Sequence, residues 1–146
     1  MKKLFYILAT ALMVLAAISC SKEKLPLYMS GTTWVCDDPS SETIGVAKFN
    51  TRTSFTLTYY SDEGEIFFKA SGTVVDVKGD EVYFEFTHYD VYPEEAEWVA
   101  SEGIIMLVDR NNIDFIFTDA HWTIVDYDDG WRFRLDKKFN LSKYLK

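Results

Sequence analysis

The chain has 146 residues, 48% hydrophobic and 16% aromatic, and a formal net charge of −8. That is apolar material for one core and too little for two, so a single domain is expected. The acidic balance is expected to repel nucleic acid and anionic lipid, because like charges repel.

Residues 1–20 open with Lys2 and Lys3, run apolar over 4–18 and close on Ser19-Cys20, the order of a secretory signal. The apolar run is shorter than the roughly 20 residues of a membrane span, and polar residues follow at once. The tetrad Ala17-Ile18-Ser19-Cys20 resembles the lipobox of bacterial lipoproteins, whose cysteine becomes the first mature residue. The resemblance implies a signal peptide over 1–19, acyl chains on Cys20 that anchor the protein to a membrane, and a place at the outer membrane or cell surface of a Gram-negative bacterium. Two or three chains hold where one does not. The competing reading is a plain secreted protein in which Cys20 is incidental. Cys36 is the only other cysteine, so no disulfide within the domain is expected, and Cys36 reads as a buried thiol.

Residues 20–30 read as the lipidated cysteine and a short tether containing Pro26, and 31–146 as the domain. Residues 31–36 form a first strand, ended by the loop-forming cluster Asp37-Asp38-Pro39-Ser40-Ser41. A second strand over 43–49 leads through Thr51-Arg52 into a third, where Phe55, Leu57 and Tyr59 alternate with Ser54, Thr56 and Thr58. That is the period of a half-buried strand. With residues 61–64 as a loop, Tyr59 should face Ile66, and Leu57 should face Phe68. The apolar positions then change parity, from Phe68 and Ala70 to Val75 and Val77, and a bulge at Ser71-Gly72 is expected to absorb the change. A tight turn at Gly79-Asp80 sets Lys78 against Glu81, Val77 against Val82 and Val75 against Phe84.

Residues 93–103 lack a period of two. Pro93 at the start, acids in the first turn and Gly103 at the end predict one short helix. Two hairpins follow. A turn at Arg110-Asn111 should set Val108, Met106 and Ile104 against Ile113, Phe115 and Phe117; a loop at Asp128-Asp129-Gly130 should pair Tyr127 with Trp131, Asp126 with Arg132 and Val125 with Phe133. In the basic tail, Phe139, Leu141 and Leu145 are expected to pack on the domain.

The expected fold is all-β: an up-and-down antiparallel meander of about 8–10 strands closing into a barrel, since closure removes exposed edges. Gly31-Thr32-Thr33-Trp34 on the opening strand, followed by this meander, is similar to lipocalin-like (calycin) domains. The resemblance implies a barrel whose interior takes a small apolar ligand. Tyr59, Phe86 and His88 are then candidates for its open end. Trp98 would lie across the opening as a lid or plug the barrel end as core, and its charged neighbours favour the plug.

Alternating strand direction gathers the loops holding Asp37, Asp38, Asp62, Glu63, Glu94, Glu95 and Glu97 at one end, opposite the tether. Such a rim attracts a cationic amphiphile or a basic protein partner; the plainer alternative is an acidic face kept for solubility. The turn at 128–130 is expected at the other end. No metal or cofactor site is expected. Two histidines and one remaining cysteine fall short of a zinc set, residues 126–137 lack the spacing of a calcium loop, and no nucleophile elbow or phosphate-cradling loop appears. Paired acids would be needed for a hydrolase, and nothing singles out a pair, so a non-enzymatic protein is expected.

Overall fold

The computed structural model describes residues 24–37, 42–92, 102–117 and 131–146. Eight strands close into one antiparallel barrel in chain order: β1 (Thr32–Asp37), β2 (Thr43–Phe49), β3 (Ser54–Ser61), β4 (Ile66–Lys78), β5 (Glu81–Val91), β6 (Glu102–Leu107), β7 (Asn112–Phe117) and β8 (Trp131–Leu135). β8 closes the ring on β1 through Trp34↔Leu135 and Val35↔Arg134. The helical segments among the described residues are two single 3-10 turns, η1 (Leu27–Met29) and η2 (Leu141–Lys143). An up-and-down barrel with a polar outside and an apolar inside is what the alternation in β3 and β7 demands. The all-β meander is as expected.

The barrel has two poles. The N-terminal segment and the turns β2–β3, β4–β5 and β6–β7 lie at one, here the N-terminal pole; the connections that follow β1, β3, β5 and β7 lie at the other, the distal pole. Leu25 and Met29 are wholly buried in the main core at the N-terminal pole. Leu25 N donates to the carbonyl of Arg52 at 2.7 Å, and Arg52 Nε donates back to the Leu25 carbonyl at 2.7 Å. The segment read as tether therefore closes one end of the barrel from Leu25 onward.

Aromatic rings fill the interior. From the N-terminal pole, Trp34 meets Phe49 at 6.5 Å between centroids, Phe49 meets Phe55 at 5.6 Å, and Phe55 reaches Phe84 at 5.2 Å and Phe115 at 5.7 Å. Phe86, Phe68 and Tyr59 continue the column to Trp131. Most of these pairs are tilted or edge-on, the geometry the ring quadrupole favours. Room for so many rings comes from glycines at inward positions. A Cβ on Gly72 would overlap the Phe55 ring, one on Gly45 would stand 2.9 Å from both Phe133 and Tyr59, and one on Gly103 would collide with the Ile116 carbonyl and stand 2.8 Å from Phe84.

These contacts correct several expected registers. In β3–β4, Tyr59 faces Phe68 and Leu57 faces Ala70, with an irregularity between Tyr59 and Tyr60 that leaves Ile66 43% exposed. The turn spans Ser61 to Glu65, closed by Ser61 N to the Glu65 carbonyl at 2.8 Å, with Gly64 at φ +88°. Gly72 is not a kink in β4 but an inward notch, and the parity change comes later. Val74 pairs with Phe84 while Val75 is the extra, outward residue, so Val75 does not face Phe84. Lys78↔Glu81 and Val77↔Val82 are as expected.

In β6–β7, Leu107 faces Ile113, Ile105 faces Phe115 and Gly103 faces Phe117, one residue away from the expected pairing. The reason is the turn. Asp109 accepts from Asn111 N at 2.7 Å and from Asn112 Nδ2 at 2.8 Å, which holds a three-residue loop. The helix expected over 93–103 lies outside the described residues up to 101; Glu102 and Gly103 belong to β6 instead. The expected loop at 128–130 and its partners Val125, Asp126 and Tyr127 also lie outside. Arg132 pairs with Asp114 and Trp131 with Phe115, so the partner of β8 there is β7.

The glycine notch is testable. Gly72→Ala should lower stability by about 1–3 kcal/mol through overpacking, and Phe55→Ala by about 3–5 kcal/mol through the cavity it leaves. Urea unfolding of both variants measures this, and an unchanged midpoint for Gly72→Ala would show that the Phe55 ring is not held in the notch.

Candidate functional site

The distal pole is where sequence reasoning placed function. Tyr59 is 4% exposed and lies inside, with its ring 5.9 Å from Phe68 and 5.6 Å from Trp131. Phe86 also points inward, against Phe84 at 5.2 Å and Phe117 at 6.1 Å. His88 does not join them. Ser71 pairs with His88 and Gly72 with Phe86, which makes Thr87 the bulged residue and reverses the parity of β5 beyond it. Tyr89 takes the inward place, 5.7 Å from Phe86 and 6.3 Å from Phe68. His88 turns outward, and its Nε2 lies 3.1 Å from Asp90 Oδ1. Burial raises the Tyr89 phenol above its ordinary 10.0, so at neutral pH it is an uncharged ring with a polar tip. Trp98 lies outside the described residues.

Around this aromatic floor stand acids. Asp37 ends β1, Glu42 precedes β2, Asp62, Glu63 and Glu65 sit in the β3–β4 turn, Asp90 is near the end of β5 and Glu102 begins β6. Asp38, Glu94, Glu95 and Glu97 lie outside the described residues. Lys69 reaches Asp90 at 3.9 Å and neutralises part of the rim. The C-terminal tail brings a second cation. Beyond β8, Asp136 N donates to the Thr33 carbonyl at 2.9 Å, and the chain then crosses the outside of the barrel. Phe139, Leu141, Tyr144 and Leu145 cover the outward Val35, Ile44 and Val46, as expected of the tail's apolar residues. Lys146 N donates to the Asp62 carbonyl at 3.3 Å, so the tail ends at the distal pole.

A latch fixes that path. Tyr144 Oη donates to Asp136 Oδ2 at 2.7 Å, Lys138 N donates to Oδ1 at 2.9 Å, and Lys143 Nζ lies 3.8 Å away. Asn140 caps η2 by accepting from Ser142 N at 3.1 Å. The Tyr144 hydroxyl and the Lys138 amide hold the Asp136 carboxyl below its ordinary range. Burial, then the Asp136 hydrogen bond, pushes Tyr144 up to about 12.

No protein-family model matches this chain, and no curated protein or solved structure matches it either. What the site can do therefore rests on its own geometry. What lies at this pole among the described residues is a set of aromatic side chains with loop carboxylates beyond them. Tyr89 and Trp131 were missed by sequence reasoning. The bulge that turns Tyr89 inward leaves no mark in composition, and Trp131 was assigned to a different strand pair.

The latch has a pH window. Asp136 has a lowered folded value, so its contribution is present above the ordinary carboxyl range, near 4, and is lost as pH falls through the lowered value. Tyr144 has a raised one, so its contribution is complete below 10.0 and is lost as pH rises through about 12. A 295 nm absorbance titration should show one phenol ionising near 12 that Tyr144→Phe removes. Loss of no such phenol would mean that the tail is not latched.

Proposed function

We propose that this protein is a lipid-anchored envelope lipoprotein whose lipocalin-like barrel is a solid, non-enzymatic scaffold, displaying an acidic pole to a basic protein or envelope component. The observation that carries this reading is the aromatic column from Trp34 through Phe55 and Phe84 to Phe86. Those rings occupy the space in which an enclosed ligand would lie, and that favours presentation of a surface over storage in a cavity. The charge on the surface supports the same reading, because seven described acids gather at the distal pole against Lys69 and Lys146.

A second reading keeps a small ligand but moves it outward. The inward Tyr89 and the half-buried Trp131 and Phe67 surround Tyr59 and Phe68 below the acids. A cationic amphiphile would set its charge among the carboxylates and its apolar part on these rings. Both readings place the anchor at Cys20 and the working face at the opposite pole. The described chain begins at Lys24 beside the N-terminal pole, a few residues beyond Cys20, and this supports that orientation. An outer-membrane or cell-surface location follows from the same resemblance in residues 17–20.

Two experiments test the proposal. With an arginine-rich peptide as probe, calorimetric affinity should fall by about tenfold or more between low and physiological salt. It should fall at least as far when Asp37, Glu42, Glu63 and Glu65 are replaced by their amides; equal binding by that variant at equal salt would sink the acidic-face reading. Separately, cells fed a labelled fatty acid should label the wild-type chain and not Cys20→Ser, which should leave the membrane fraction. Label retained by Cys20→Ser would refute the anchor.

A further inference from the structure

At the N-terminal pole a groove of about 650 Å³ opens on the outside of the barrel, below the short seam where β1 meets β8. Its volume falls in the range of small-molecule sites. Three cations line it: Lys48 from β2, Arg110 from the β6–β7 turn, and Lys137 just beyond β8. Two rings form its walls. The Arg110 guanidinium carbon stands 4.5 Å from the centroid of Tyr28, and Lys48 Nζ stands 5.4 Å from that of Phe139.

Among the described residues, none of these three cations pairs with a carboxylate. The one acid lining the groove is Asp136, and its oxygens are already held by Tyr144, Lys138 and Lys143. In a chain of net charge −8, three cations brought together from positions 48, 110 and 137 by folding alone, against the single carboxylate of Asp136, make a net positive site. Gathering like charges in a concave surface is unfavourable unless an anion completes it. Thr33 and Asn111 add polar groups to the same lining.

We propose that this groove binds a phosphate ester. The choice of phosphate follows from the charge and the donors. Two flexible ammonium groups and one guanidinium fork match a tetrahedral anion with several acceptor oxygens, and Arg binds such oxygens in pairs. The ring walls fit a small organic substituent beside the phosphate. The ester has two sources, a membrane phospholipid headgroup or a soluble phosphomonoester. The groove opens at the pole from which the chain leads back toward Cys20, and the lipid source, unlike the groove itself, rests on the anchored reading above.

The test uses the full chain in micelles of a neutral detergent, followed by ¹⁵N NMR at the Arg110 Nε–H and the amides of Asn111 and Lys137. One arm adds glycerol 3-phosphate; the other dopes the micelles with phosphatidylglycerol or with diacylglycerol, which lacks the phosphate. A saturable shift with the soluble ester alone assigns a soluble ligand, a shift with phosphatidylglycerol alone assigns a headgroup, and a shift with both assigns the phosphate as the shared element. Apparent affinity should fall at least tenfold in the variant Lys48→Gln, Arg110→Gln, Lys137→Gln, and at least threefold in Arg110→Gln alone. All three positions are exposed, so both variants should melt with the wild type. No shift with either ester, an equal shift with diacylglycerol, or equal affinity in the folded variants would overturn the proposal. These outcomes are independent of fatty-acid labelling at Cys20, so failure of the groove and failure of the anchor are told apart.

Discussion

The Phe55 ring lodged against Gly72 is the constraint on which the rest of the barrel turns. An eight-stranded barrel has an interior just wide enough for side chains to fill or for one small ligand to enter, and the sequence decides which. Here glycine stands at three inward positions on β2, β4 and β6, and each faces a ring from elsewhere on the wall. Gly45 makes room for Phe133 and Tyr59, Gly72 for Phe55, and Gly103 for Phe84. Large and small residues are thus matched as cross-strand pairs on neighbouring strands, Gly45 with Tyr59, Gly72 with Phe55 and Gly103 with Phe84. The β4–β5 pairing carries three irregularities, at Lys69/Ala70, Ser71/Gly72 and Val74/Asp76. The extra Thr87 on β5 lets Tyr89 face inward with Phe84 and Phe86, which strict alternation along β5 would forbid.

Among the described residues the rings are packed along the axis, and the poles and the outer wall carry the remaining side chains. The outer wall is also partly used. Val35, Ile44 and Val46 would be exposed on β1 and β2 if the tail did not cross them, and the tail crosses because Asp136 and Tyr144 hold its turn. Covering this patch matters near the β1–β8 seam, the shortest pairing in the ring. The tail therefore acts as an outer brace where the barrel has fewest ladder bonds. Its path also sets the charges, since it leaves Lys137 at one pole and delivers Lys146 to the other.

Local pattern made much of this legible and long-range pairing made the rest illegible. The alternation of Phe55, Leu57 and Tyr59 and the cross-strand pair Lys78 and Glu81 are local, and both stand as read. Gly72 is the instructive case. A glycine within a strand looks the same in sequence whether it bends the backbone or yields space to a ring, and only the partner, seventeen positions away in Phe55, distinguishes them. The β6–β7 register failed for a related reason: Asp109 caps its own turn, so a residue counted as strand is spent on the loop. Leu25 and Met29 fell within the segment read as a tether, because the barrel end they close is built from strands not adjacent in sequence. The groove was invisible for the same reason, its three cations being separated by most of the domain.

Net charge, the one electrostatic quantity a sequence gives directly, conceals how this molecule is arranged. The described acids of the distal pole and the cations of the groove are separated by roughly the length of a strand, and eight residues of β3 extend about 26 Å. At physiological ionic strength the field of a charge decays over about 8 Å. The two ends are therefore electrically independent. The described carboxylates of the distal loops stand at one end, and Lys48, Arg110 and Lys137 stand beside Tyr28 at the other. The total of −8 describes neither end. It sets solubility and long-range repulsion, whereas what each end recognises is fixed by which side chains the closed barrel brings together there.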